Sequence, residues 1–509
     1  MDFLRDLLLY SPDSPMLFTH LSFWVFFLVV LLCYSSLYKT RKKKIIFLLA
    51  CSFFFYYKSG GLFVLLLLFT TLVNYFIGLG LGKSGKPPLR RFFVVLGIIL
   101  NLGILCYFKY TYFFLDLLND YILNTPLAIG DPLASASNHF FGTEFSVENI
   151  VLPVGISFYI FQAISYLVDL YRNETSVSNK FLDFAFYLSF FPQLVAGPIV
   201  RANEFMPQIA QPYNVSKAEF SRGLYLILNG LVKKICIADY LSVNFVDRVF
   251  DMPQLYSGLE HLLGIYGYTL QIYCDFSGYT DVAIGIALWL GYRLPLNFRS
   301  PYKAANITDF WRRWHLSLSR WLRDYLYISL GGNRKGKFRR YMNLFITMFL
   351  GGLWHGAHLR FILWGSLHGI GLIAHKIWVK NTSKFASENA ITNGIKRFVG
   401  IFITFHFVAL CWVFFRVESM DKAFLIFQQI SHNMHPELLS DIVSGYGKVF
   451  AILLIGYFIH WLPETWKSTA INRFTRVPWF LKVLFTVVVV VLLYQMRSSA
   501  IQPFIYFQF

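Results

Sequence analysis

Charge is missing from long stretches of this chain, and that constrains its fold more than any other feature. Leu21 to Tyr38 carries no charged residue and is followed at once by Lys39, Arg41, Lys42, Lys43 and Lys44. Ile45 to Tyr57 and Leu62 to Leu81 are also uncharged, on either side of a Lys58, Ser59, Gly60, Gly61 turn, and the next loop holds Lys83, Lys86, Arg90 and Arg91. A spanning helix needs roughly 20 apolar residues, so these runs read as membrane spans. Both basic clusters then share one side. Under the positive-inside rule that side is cytoplasmic, which puts the N-terminus outside. After a span from Phe92 to Phe108, apolar segments recur at Val151 to Leu170, Phe181 to Ala196, Gly223 to Ile237, Leu262 to Leu290, Met342 to Ile377, Phe398 to Phe415, Val449 to Leu462 and Val483 to Tyr494. Some are too short or too long for one span, and Phe181 to Ala196 runs into Gly197 and Pro198, so tilted or re-entrant pieces are expected. The pattern predicts an all-α polytopic membrane protein of roughly 11 to 13 transmembrane or re-entrant helices.

Composition supports this reading. Hydrophobic residues make up 56% and charged residues 14% of the 509, yet 46 Lys plus Arg against 27 Asp plus Glu leave a net charge of +19. Such a chain has too much apolar surface for a disordered, small secreted or chromatin-type basic protein. The cysteines Cys33, Cys51, Cys106, Cys236, Cys274 and Cys411 lie singly in apolar surroundings, which points to neither a disulfide framework nor a metal site. Asp2, Arg5, Asp6 and Asp13 form no positive leader, so the first apolar run is expected to stay as a span. One membrane domain over 1–509 is expected, with a motif core at 152–369, an outer loop at 124–149 and a polar insertion at 416–448.

The positive charge is concentrated. Between Arg293 and Arg340 twelve basic and two acidic residues give +10. Arg312, Arg313, Arg320 and Arg323 are interleaved with Trp311, Trp314 and Trp321, which reads as an amphipathic helix at headgroup level. The ordinary reading is an interfacial helix that obeys the positive-inside rule. The sharper reading is a surface for a phosphate-bearing cytoplasmic cosubstrate, such as a nucleoside-diphosphate carrier. Nucleic acid fits poorly, because the cluster lies between membrane segments.

Downstream, Met342 to Ile377 is a long apolar stretch that carries the ionisable residues His355, His358, Arg360, His368 and His375. Ionisable groups at membrane depth are functional candidates. His355 follows Gly351, Gly352, Leu353 and Trp354 and precedes Gly356, glycines that let backbone or a thin acyl chain approach closely. A neutral imidazole there can take a proton from an attacking hydroxyl or thiol and return it to a leaving group. The alternative is a buried histidine that bridges two helices. His315 is a second candidate, and an interfacial role is its ordinary reading. Tyr273, Asp275 and Ser277 form a polar cluster that either lines a passage or packs helices together.

Together, FWRRWHLSLSRWLRDYLYISLGGNR from Phe310 and FLGGLWHGAHLRFILWGSLHG from Phe349 resemble the membrane-bound O-acyltransferase family, in particular its bacterial alginate O-acetyltransferase-like branch. The resemblance extends upstream through LPVGISFYIFQAISYLVDLYR from Leu152, FFPQLVAGPIVRANEFMPQ from Phe190 and YCDFSGYTDVAIGIALWLGYRLPLNFRSPY from Tyr273. It implies a ring of helices around a central tunnel, with His355 as the essential histidine and His315 as its polar partner. It further implies acetyl-CoA as a cytoplasmic donor that is not a bound cofactor, an exported or cell-surface polysaccharide as acceptor, and a periplasmic SGNH-type acetyltransferase or esterase-like partner. The expected location is the inner membrane, in contact with its lipids. On this reading Arg312, Arg313, Arg323 and Arg334 hold the CoA head, Trp354 borders the reacting centre, and Tyr273 and Asp275 contact substrate. Two other functions stay open: D-alanyl or other acyl transfer to teichoic acid or peptidoglycan, and a transporter or flippase with an intramembrane His relay.

Overall fold

The computed structural model describes residues 8–11, 15–122, 127, 129–141, 146–382, 390–496 and 504–505. Among these residues the regular secondary structure is entirely helical. Four helical runs are long and apolar enough to cross a bilayer: Arg41–Lys83, Pro87–Asp120, Ile391–Arg416 and Trp479–Met496. Pro436–Gly445 with Gly447–Trp461, bent by 95°, makes a fifth if the pair counts as one span. Leu21–Leu37 and Ile156–Tyr171 are apolar but shorter.

The first run is two helices, Arg41–Gly60 and Val64–Lys83, separated where Gly61 takes φ +62°. The contacts show that the chain turns back there. Arg41 pairs with Asp183 at 2.5 Å, while Tyr75 donates to the Asn179 carbonyl and Gly82 faces Val177, so both outer ends of the pair meet residues 177–183. The turn itself meets the N-terminal segment, where the Met16 N–H donates to the Lys58 carbonyl. The basic clusters around Arg41 and Arg90 therefore lie at one end of the molecule, as the sequence implies.

Further basic residues are tied to neighbouring segments by hydrogen bonds and ion pairs. Arg90 donates to the carbonyls of Leu170 and Tyr171, Arg172 to the Asp324 carbonyl, Arg320 pairs with Glu204 at 3.0 Å, and Arg293 pairs with Glu219 at 2.5 Å.

The longest helix, Gly258–Trp289, is buried along most of its length. A capping box starts it: the Ser257 hydroxyl accepts the Glu260 N–H and the Glu260 carboxylate accepts the Ser257 N–H. It is too polar to pass as a lipid-facing span, and it need not, because protein surrounds it. Lys233 pairs with Asp281 at 2.7 Å and Lys234 with Asp275 at 2.5 Å, joining it to the π-helical turn Val232–Asp239.

Two insertions gain helices, and the basic segment departs from its expected form. The expected outer loop 124–149 contains a helix, Pro132–Phe141, started by Asp131, whose carboxylate accepts the N–H groups of Leu133 and Ala134. Residues 124–126, 128 and 142–145 of that loop, and Asp2, Arg5, Asp6 and Asp13, lie outside the described residues. The polar insertion 416–448 forms helices Met420–His432 and Leu439–Gly445, and its Asn433 and Met434 carbonyls accept the Gly258 and Leu259 N–H groups. The expected amphipathic helix through Arg312 is broken into Ile307–Trp311 and Leu316–Trp321, and Trp311, Trp314 and Trp321 are buried. The tryptophans therefore serve the protein core and not the headgroup layer.

Gly336–His355 and Leu359–Thr382 pack as a close antiparallel pair. A Cβ on Gly352 would lie 2.3 Å from the Phe361 carbonyl oxygen and 3.0 Å from the Gly365 Cα, so two facing glycines set the separation. Gly352→Ala is expected to lower the unfolding temperature in detergent, for a loss of about 1–3 kcal/mol. Gly394→Ala, where a Cβ meets nothing within 4 Å, is expected to leave it unchanged; equal unfolding temperatures for the two variants would contradict this packing account.

Candidate active site

His355 is the last residue of Gly336–His355 and is 3% exposed. Its ring is walled by aromatic rings: Trp354 at 4.9 Å, Trp364 at 5.0 Å and Phe415 at 5.2 Å between centroids. The chain leaves the helix fully extended at Gly356, where a Cβ would come within 2.1 Å of the Phe361 ring. The next residue in the sequence motif must therefore be glycine. On its remaining side His355 borders a cavity of about 80 Å³, shared with Lys109, Trp354 and the backbone run Leu152 to Phe158. Trp354 lies near-parallel to Phe161, which stacks on Trp321 at 3.7 Å while the Trp321 indole N–H donates to the Phe161 carbonyl.

His315 sits between two short helices in a left-handed conformation, φ +45°, and is wholly buried. A non-glycine residue rarely adopts this backbone, and its neighbours enforce it here. Asn297 provides the anchor. Its carbonyl accepts the Leu316 N–H, and its Oδ1 accepts the Ser317 N–H at 3.1 Å and the Ser317 hydroxyl at 2.9 Å. The Ser317 N–H can only donate, so the Asn297 atom facing it is oxygen. His315 Nδ1, 3.2 Å from that oxygen, is therefore the protonated ring nitrogen. Trp354 links the two histidines, with its ring 6.3 Å from that of His315 and 4.9 Å from that of His355.

A second cavity, about 570 Å³, opens among the basic residues. Arg312, Arg320, Arg323 and Lys376 line it together with the apolar Trp311, Leu322 and Met348. Asp324 accepts from Arg323 at 2.6 Å and from Arg201, and the Tyr325 hydroxyl donates to Asp169 at 2.9 Å, which fixes this wall to the neighbouring helices. Arg312 and Lys376 form no ion pair among the described residues. A cavity lined by uncompensated cations and by apolar side chains suits a ligand with an anionic head and a thin, less polar arm. Trp311 lines the cavity and packs edge-on against Trp364, which touches His355. Met348, also in the lining, lies two turns before His355 on the same helix, about 10 Å along its axis.

The remaining sequence candidates fall elsewhere. Arg313 pairs with Asp309 at 2.9 Å, and Arg334 is exposed; neither lines this cavity. Tyr273 packs against Phe298, Tyr302 and His460, and Asp275 pairs with Lys234 and accepts the Ile505 N–H at 3.0 Å. Neither borders the two cavities described. Phe504 packs on Phe276 and Tyr279, and Phe276 meets His315 edge-on at 4.7 Å, so Phe504 reaches the layer next to His315.

Asn297, Lys109 and Lys376 are site residues that the sequence reading did not select. Asn297 stands inside a quoted motif, but its role appears only when the chain folds back on His315. Lys109 ends an apolar run and looks there like an interface anchor. Asn297→Ala removes the acceptor for three donors, and a loss of about 1–3 kcal/mol in stability is expected for groups left buried without it. Thermal unfolding in detergent reads this out, and an unchanged midpoint would contradict the anchoring role.

Residues 172–415 match the model of the membrane-bound O-acyltransferase family. The chain is 42% identical over 360 residues to the probable alginate O-acetylase AlgI of Pseudomonas putida, across 69% of this chain and 67% of that protein. It is 41% identical over 361 residues to the Pseudomonas aeruginosa protein of the same name, across 70% of this chain and 64% of the relative. The peptidoglycan O-acetyltransferase of Helicobacter pylori is 38% identical over 376 residues, covering 69% and 66%. The chain thus spans about two thirds of the length of these relatives. With these matches, the chain belongs to the membrane-bound O-acyltransferase family.

Proposed function

We propose that this protein moves an acetyl group from cytoplasmic acetyl-CoA across the membrane for O-acetylation of an exported or cell-surface polysaccharide of alginate type. The observation that carries this reading is the placement of His355, which borders the small cavity with Lys109 and touches Trp364, whose partner Trp311 lines the cavity of Arg312, Arg323 and Lys376. The relatives named for alginate O-acetylation support the choice of acetyl group and acceptor class. In this account the other apolar segments complete a ring of roughly 11 to 13 membrane elements around the passage. The basic face is cytoplasmic and the N-terminus outside, with the protein in the inner membrane.

The chemistry follows from one imidazole. Arg312 and Arg323 hold the phosphate-bearing head, and the thioester arm passes the Trp311 and Trp364 layer towards His355. His355 accepts the proton of an acceptor hydroxyl as its oxygen attacks the thioester carbonyl. The new C–O bond forms, the C–S bond breaks, and the proton passes to the departing thiolate, leaving an ester and free CoA. The aromatic wall excludes water, which would otherwise hydrolyse the thioester. His315, with its proton on Nδ1, assists from behind Trp354. The hydroxyl belongs either to the polysaccharide or to a periplasmic SGNH-type partner that passes the acetyl group on. The Helicobacter relative's name favours a second acceptor within the same reading, peptidoglycan.

Purified full-length protein in nanodiscs is to be supplied with radiolabelled acetyl-CoA and either alginate or peptidoglycan fragments. His355→Ala is expected to lower transfer by about 10²–10⁴-fold, the usual contribution of a general base. Undiminished transfer would overturn the role of His355, and transfer only to peptidoglycan would overturn the alginate-type acceptor. In the same assay Arg312→Ala and Arg323→Ala are expected to raise the KM for acetyl-CoA by about tenfold each, the loss of a charge-assisted hydrogen bond. Arg334→Ala is expected to leave it unchanged, and an equal effect of all three would place the donor elsewhere.

A further inference from the structure

We propose that Lys109, together with Tyr110, is a positioning residue that fixes His355 by capping the end of its helix; this rests on the reading of His355 given above. The last carbonyls of any helix lack a partner within the helix. In Gly336–His355 the usual remedy is missing, because Gly356 is extended at φ −165°, ψ 150° and the chain makes no left-handed cap. At membrane depth, orphan carbonyls of this kind are costly.

A distant part of the chain provides the donors. Lys109 Nζ donates to the Trp354 carbonyl at 2.8 Å and to the His355 carbonyl at 3.0 Å, and the Tyr110 hydroxyl donates to the Leu353 carbonyl at 2.9 Å. Three successive carbonyls are thus satisfied by two adjacent side chains. Both belong to the π-helical turn Cys106–Tyr110, which interrupts the helical run Pro87–Asp120 at this depth. Such turns insert one residue, re-aim the side chains that follow, and are frequent at functional sites.

Charge agrees with this geometry. Lys109 forms no ion pair with a carboxylate among the described residues, and its ammonium rests against the negative end of the helix dipole. It also borders the 80 Å³ cavity that His355 borders. The clamp therefore holds the backbone of the reacting residue without occupying its ring. Frayed by one turn, the helix end would let the imidazole drift from the acceptor hydroxyl, and displacements of about 1 Å cost up to roughly 100-fold in rate.

The test uses the full-length protein in nanodiscs with radiolabelled acetyl-CoA and alginate fragments, comparing Lys109→Met, Lys109→Arg, Tyr110→Phe and His355→Ala. Lys109→Met is expected to lower kcat by roughly 10–100-fold while the KM for acetyl-CoA stays within about twofold. Lys109→Arg, which keeps a cation with several donors, should recover most of kcat, and Tyr110→Phe should lose several-fold. Unfolding temperatures are recorded in parallel. A wild-type kcat in Lys109→Met overturns the proposal, as does a loss that follows only the folded fraction and is not restored by arginine. If His355→Ala retains transfer, the reading of His355 fails instead; if His355→Ala is inactive and Lys109→Met is fully active, only the clamp fails.

Discussion

The close approach of two helix backbones sets the position of everything around His355. Gly352 and Gly365 face each other so tightly that a single methyl would strike backbone, and this contact brings Leu359–Thr382 against Gly336–His355. Trp364 then lies 5.0 Å from the His355 ring, and Phe361 fills the space that a side chain at position 356 would need. Dispersion and steric fit, not polar attraction, govern such contacts in a membrane protein, because lipid offers no hydrophobic incentive for helices to associate. The imidazole is therefore held by backbone placement, and the enclosing aromatic rings follow from that placement.

Electrostatics organises the other end. Ion pairs such as Arg293 with Glu219, where the arginine side chain is 58% exposed, contribute at most about 1 kcal/mol each and do not hold the fold together. They sort the molecule into a charged face and an apolar body, and they leave Arg312 and Lys376 uncompensated beside an apolar cavity. The buried pair Lys234 with Asp275 and the half-buried pair Lys233 with Asp281 act differently. Removal of one partner of Lys234 and Asp275 would strand a buried charge, at a cost of about 3–5 kcal/mol. They tie the polar helix Gly258–Trp289 to its neighbour in one register. Asp275 joins the two helices through Lys234.

The sequence made the membrane setting, the shared end of the two early basic clusters and the burial of His355 legible, because each depends on local composition: long uncharged runs, clustered lysines and arginines, and an ionisable residue in an apolar segment. The two-span reading of residues 41–83 also followed from sequence, since Gly61 marks the break and the basic ends must meet. Arg312 to Trp321 shows where such reasoning stops. Its tryptophans and arginines have the composition of an interfacial helix, but Asn297 draws His315 into a left-handed turn and the tryptophans into the core. Lys109 was invisible for the same reason. Its partners are carbonyls about 245 residues away, and no local pattern announces a contact between side chain and distant backbone. Arg313 and Arg334 share their charge with Arg312 and Arg323, and only the folded chain separates those that line the cavity from those that do not.

In the proposed reaction a donor enters through the basic cavity and places its thioester at His355. The most direct measurement is a cryo-electron microscopy structure of the full-length protein with a non-cleavable thioether analogue of acetyl-CoA. The account predicts phosphates beside Arg312 and Arg323, an arm that passes Trp311 and Trp364, and the acyl carbonyl within about 3–4 Å of the His355 ring. An analogue bound on another face, or one whose carbonyl lies beyond reach of His355, would contradict it.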